Sequence, residues 1–97
     1  LGDASLARDL ERVDEVCRAV DAWVEGRVSE HLAKGKLVGL VGGDHATSFG
    51  AIAAVAKHHG EIGILHVDAH ADLREAYEGF SRSHASIMDN VLREVPG

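Results

Sequence analysis

From about residue 5 to residue 34 the chain repeats apolar positions three or four apart: Leu6, Leu10, Val13, Cys17, Val20, Val24, Val28 and Leu32, with Trp23 beside them. That spacing predicts an amphipathic helix, with Gly26 as a candidate break and Gly35 as its end. Arg8, Glu11, Arg12, Asp14, Glu15 and Arg18 form the face left to solvent. The pattern then changes. KLVGLVGG, residues 36–43, is a short apolar run closed by two glycines and reads as a buried strand with a tight exit. TSFGAIAAVAKHHG is alanine-rich and helical, ending at Gly60. EIGILHV, residues 61–67, reads as a second buried strand, residues 71–82 as a polar loop, and HASIMDNVLREV as a closing helix stopped by Pro96.

Strand, helix, strand at this spacing is a βαβ unit, which predicts an α/β fold with two parallel strands joined by a right-handed crossover. Two parallel strands do not finish a sheet, because parallel sheets are normally covered by helices on both faces. The expected organisation is therefore one compact piece, a helical lead-in over 1–35 and a βαβ unit over 36–97, carrying only part of a larger sheet. No repeat, linker or low-complexity stretch divides it.

Composition narrows the classes of function. Ninety-seven residues are few for a full enzyme core. Ten Lys plus Arg stand against sixteen Asp plus Glu, a formal charge of −6, with no basic cluster, so nucleic acid is not an expected partner. No apolar stretch approaches the roughly 20 residues that span a bilayer, and no membrane partner is expected. A single cysteine, Cys17, cannot form an intrachain disulfide and suits a reducing compartment; the expected location is the cytoplasm. Seven histidines are many for this length, and several lie beside acidic residues.

Ligands of open parallel sheets bind outside the carboxyl ends of the strands, where both polar motifs fall. In VGGDHATS, residues 41–48, Gly42 and Gly43 let the chain turn so that Asp44 and His45 project. Taken alone this motif is equally a glycine turn with Asp44 as a helix N-cap. In DAHAD, Asp68, His70 and Asp72 sit at every second position, which on an extended backbone puts all three on one side. Two carboxylates that close repel unless a cation or proton lies between them. Oxygen and imidazole donors without thiolate favour Mn²⁺ ahead of Zn²⁺ and well ahead of copper, and two strand ends suit two metals that lower the pKa of a shared water.

GGDHA followed by DAHADLREAYEGFSRSHAS resembles the ureohydrolase superfamily, which includes arginase and agmatinase. The matching stretch runs from about Leu37 to Val95, and the paired motifs at this spacing are specific. The resemblance implies a three-layer αβα fold around a parallel sheet, of which this chain carries a βαβ-containing portion. It implies a binuclear manganese centre that hydrolyses a small guanidinium substrate to urea and an amine, with agmatine the leading choice and putrescine its product, in polyamine biosynthesis. Arginase and guanidinobutyrase chemistry are the near alternatives, and the full-length form is expected to be a homo-oligomer. By the same resemblance His45 and Asp72 bind one manganese, His70 the other, and Asp68 bridges both; Asp44 orients His45, and His84 is the catalytic proton shuttle. Ala46 stands where the family usually has serine, and the family's later SxDxD motif has no counterpart after Asp89. Those departures keep open a non-catalytic assembly or regulatory role.

The other histidines read differently. His66 shares the face of Asp68 one step inside the expected strand and reads as packed or supporting; His58 and His59 end a helix, where cations are favoured; His31 reads as a helix-surface residue. A phosphoesterase or lactamase site fits less well, since those centres pair histidines one apart beside an Asp-His, and here the order is His-Asp-His-Asp.

Overall fold

The computed structural model of the protein describes residues 4–97; residues 1–3 of the expected lead-in lie outside the described residues. Helix α1 runs over Ala4–Leu32 without interruption at Gly26. Gly35, with φ 72°, takes the left-handed conformation that ends a helix at little steric cost. A 3₁₀ turn over His45–Thr47 leads into α2, Ser48–His59, which closes on Gly60 at φ 86°. A second 3₁₀ turn over His84–Ser86 leads into α3, Ile87–Glu94, whose chain turns extended at Val95 before Pro96.

The sequence pattern accounts for the core. Val24, Val28 and Leu32, the last three apolar positions of the α1 stripe, are buried against Ala54 of α2, with Ala51, Val55 and Val38 packed around them. Each such aliphatic side chain contributes about 1.5–3 kcal/mol on full burial. The small residues of α2 allow a close approach, and Gly50 sets it. A methyl group there would overlap the Asp21 carbonyl and stand 2.9 Å from the Glu25 nitrogen and 3.0 Å from the Val24 Cβ. Earlier positions of the same stripe, Leu6, Val13 and Val20, remain 39–48% exposed, so α1 buries only the C-terminal part of its apolar face.

Arg82 ties the helices together. Its Nη2 donates to both carboxylate oxygens of Glu94 at 2.8 and 2.7 Å, its Nη1 lies 3.7 Å from Asp21 of α1, and its guanidinium stacks over Phe49 of α2 at 5.0 Å. Burial pushes the Asp21 carboxyl up to about 6, and Arg82 opposes that only in part. Ser81 adds a second link, its hydroxyl donating to Asp14 of α1 at 2.9 Å, while the Asn90 amide of α3 holds the Ser81 carbonyl.

The expected α/β architecture is not what the structure shows. Among the described residues there is no strand, no parallel sheet and hence no βαβ unit or αβα layering; the one β-bridge pairs Tyr77 with Phe80 in antiparallel sense. The reason is physical. An apolar run carries a tendency to be buried, but a strand exists only where its N–H and C=O groups meet a neighbouring backbone. Over 36–42 and 62–67 no such ladder forms. Leu37, Val41, Leu65 and Val67 are 87–103% exposed, so no layer covers these four positions of the runs that the pattern marked as buried. No described helix is long and apolar enough to cross a membrane.

Candidate metal centre

The turn after Gly42 and Gly43 places His45. Asp44 precedes it as a cap: its Oδ1 accepts the Ala46 N–H at 2.8 Å, and its carbonyl accepts the Thr47 hydroxyl at 2.7 Å. Ser48 then donates to the His45 carbonyl at 2.8 Å. The backbone of His45 is thus held from both sides, and Asp44 serves the turn with its own side chain. Thr47, beside Ala46, spends its hydroxyl on the same turn.

Asp72 is placed from the other end of the chain. Its carbonyl accepts the Met88 and Asp89 N–H groups at 3.0 and 3.2 Å, so the first turn of α3 grips the loop, and Arg74 donates to the Ala85 carbonyl at 3.1 Å. The grip holds Asp72 at φ 54°, a left-handed conformation that aspartate tolerates better than most residues and that tends to occur at functional positions.

The side chains meet between these supports. His45 Nδ1 lies 2.8 Å from Asp72 Oδ2 and 3.6 Å from Asp68 Oδ2. His66 Nε2 lies 3.5 Å from each of those same two oxygens. The donor atoms of His45, His66, Asp68 and Asp72 all fall within 4.8 Å of one another. The Asp68 carboxyl is held below the usual carboxylate range, first by the His70 N–H that its Oδ1 accepts at 2.9 Å, with the His66 and His45 imidazoles adding to the effect against some desolvation.

His70 stands apart from this cluster. Its ring is 83% exposed, and its Nδ1 approaches Asp68 Oδ1, at 3.8 Å, on the opposite side of that carboxylate. The hydrogen bond from the His70 N–H to Asp68 Oδ1 makes a side-chain turn over 68–70, and a turn breaks the two-residue alternation on which the shared face depended. His84 also lies outside the cluster. It stacks edge-on against Tyr77 at 5.7 Å and, with His70, Asp72 and Arg74, lines an open cleft of about 640 Å³ next to the centre. His58 and His59 pack against each other at the end of α2, away from it.

The geometry therefore unites His45, Asp68 and Asp72 and adds His66. His66, two residues before Asp68, was expected as a packed or supporting histidine, and its ring nitrogen faces both carboxylates. The four residues fit a divalent cation on structural grounds. Two carboxylate oxygens share a small volume with two imidazole nitrogens, and one of those nitrogens, His66 Nε2, is buried without a hydrogen-bond partner.

Comparison with known proteins agrees with this set of motifs. The arginase family model matches residues 2–96, and the chain belongs to the arginase family. It is 43% identical over 74 residues to the agmatinase of Bacillus anthracis, covering 76% of this chain and 25% of that protein. It is 37% identical over 83 residues to the N(1)-aminopropylagmatine ureohydrolase of Thermus thermophilus, covering 74% and 28%, and 32% identical over 71 residues to the guanidinobutyrase of Pseudomonas aeruginosa, covering 73% and 22%. The chain thus spans about a quarter of the length of these relatives. No solved structure matches it.

Proposed function

We propose that this centre takes part in the manganese-dependent hydrolysis of a guanidinium group, with agmatine as substrate and putrescine and urea as products. The observation that carries the reading is the convergence of His45, Asp68 and Asp72 beside a cleft that also holds His84, in a chain similar to agmatinases. Oxygen and imidazole donors without sulfur suit manganese. His45, Asp68 and Asp72 would hold one ion, and Asp68 with His70 would hold the other. Bound there, divalent metal supplies a nucleophile at neutral pH by lowering the pKa of water.

The remaining work belongs to the chain itself. Asp68 and Asp72 would supply the charged donors to the cation, and His45 the neutral one. His84, on the cleft wall, holds a proton on an imidazole nitrogen for the departing amine. Water adds to the guanidinium carbon, the bond from that carbon to the alkyl-bearing nitrogen breaks, and the nitrogen leaves as putrescine once protonated.

Similarity to a guanidinobutyrase and to an aminopropylagmatine ureohydrolase makes the far end of the substrate the open variable. Urea release by the intact protein from agmatine, arginine, 4-guanidinobutyrate and aminopropylagmatine, with manganese and after chelation, tests the reading. Manganese-dependent urea from agmatine in preference to the others is expected. Preference for another of the four overturns the substrate, and no urea from any of them overturns the reaction.

A further inference from the structure

The proposed reaction asks His84 to deliver a proton, yet nothing grips its imidazole. Among the described residues the ring makes no hydrogen bond; it meets Tyr77 edge-on at 5.7 Å. Where the ring stands is therefore decided by the backbone that leads into it. A misplacement of about 1 Å, caused far from the reacting atoms, costs up to roughly 10²-fold in rate, so a proton donor held this way needs a fixed base.

Residues 81–83 are that base, and all three helices hold them. Asp14 of α1 accepts the Ser81 hydroxyl at 2.9 Å, and the Asn90 amide of α3 donates to the Ser81 carbonyl at 2.9 Å. Arg82 reaches furthest. Its Nη2 donates to both carboxylate oxygens of Glu94 on α3, its Nη1 faces Asp21 of α1, and its guanidinium covers the Phe49 ring of α2. The Arg82 side chain is 11% exposed, so water and salt screen these contacts less than they screen a surface pair. Ser83 passes the position on. Its carbonyl accepts the Ser86 N–H at 3.1 Å and its hydroxyl pairs with the buried Ser86 hydroxyl at 2.9 Å, closing the turn that begins at His84.

Arg82 itself stays out of the cleft. It lines a separate cavity of about 190 Å³ with Asp21 and Asn90, whereas His84 lines the cleft beside the metal centre. Any effect of Arg82 on the reaction must then travel through the backbone of 82–84. Resting on the reading of His84 as proton donor, we propose that Arg82 is a positioning residue: its contacts with Glu94, Asp21 and Phe49 fix residues 81–83 on the three helices and so set His84 in the cleft. A guanidinium suits the task, because one planar group serves a carboxylate, a second acid and an aromatic face at once.

A double-mutant cycle on the intact, manganese-loaded protein tests this. Urea release from the preferred guanidino compound gives kcat and KM for Arg82→Met, His84→Asn and the pair, and bound manganese and the denaturation midpoint are read on each. Arg82→Met alone should lower kcat by roughly 10²-fold, with KM and manganese unchanged. In the His84→Asn background the same change should cost no more than about 2-fold, because a residue that acts through His84 has nothing left to act on. A purely structural role would cost the same in both backgrounds. Glu94→Gln removes the charge that Arg82 holds, at the half-exposed end of α3, and should follow the same pattern; it decides the question if Arg82→Met does not fold. Unchanged kcat in the folded variant, lost manganese, or equal losses in both backgrounds overturns the proposal. Urea release that depends on His84 but not on Arg82 or Glu94 overturns the positioning alone. An unmodified protein without urea release, or His84→Asn with unchanged kcat, overturns the reading of His84 and the positioning with it.

Discussion

At the scale of single residues, period-two spacing in HVDAHAD identified Asp68 and Asp72 as partners, and the glycine turn in VGGDHATS delivered His45 to them; the structure brings these three together. That spacing placed His70 on the same face as well, and the structure puts its ring outside the cluster. The spacing assumed an extended backbone, whereas the aspartate side chain captures the amide two residues on and turns the chain there. Capture of this kind is local and chemically ordinary, but nothing in the alternation announces it. His84, marked by its SHAS context, lines the cleft and lies outside the cluster of donor atoms. A residue so placed should affect proton transfer and not metal content. His84→Asn in the intact protein is therefore expected to keep its manganese, measured by elemental analysis, while kcat falls by roughly 10²–10⁴-fold, the usual contribution of a general acid or base. Lost manganese would make His84 a ligand, and an unchanged kcat would remove it from the reaction.

Helices were legible as elements because their signals are contained within the element: apolar spacing, glycine after the last turn, proline beyond it. Gly35 and Gly60 both adopt positive φ where the helix ends were expected. Strands were not, because their hydrogen bonds belong to a neighbour, and the runs over 36–42 and 62–67 have none among the described residues. The two glycines of the α1–α2 pair separate a local cost from a packing one. Gly26 lies inside α1 with nothing within 4 Å of an added methyl group, whereas at Gly50 the same group meets the α1 backbone at Asp21 and Glu25. Gly26→Ala should stabilise the protein by about 0.5–1 kcal/mol through better helix propensity. Gly50→Ala should destabilise it by about 1–3 kcal/mol, the range for overpacking a close contact. Equilibrium denaturation of the intact protein reads both; equal effects would mean that α1 and α2 do not approach one another as described.

For the whole molecule, sequence pattern conveyed the family better than the architecture. The motifs that carry the metal reading lie within thirty residues, His45 to Asp72, and depend on short turns and on the grip of α3. A sheet depends on surfaces that four fully or mostly exposed residues, Leu37, Val41, Leu65 and Val67, do not find in this chain. The central claim is that the carboxylates of this centre hold metal and that hydrolysis depends on it. Asp68→Asn tests it most directly, because asparagine keeps the side-chain oxygen that accepts the His70 N–H and removes only the charge facing His45 and His66. Bound manganese per chain and urea release from agmatine should be measured together on the intact protein and the variant. We expect manganese to fall below the unmodified level and urea release to drop by at least roughly 100-fold, the upper range for disturbing even the support of a metal ligand. Full manganese content with unchanged urea release in Asp68→Asn would contradict the account.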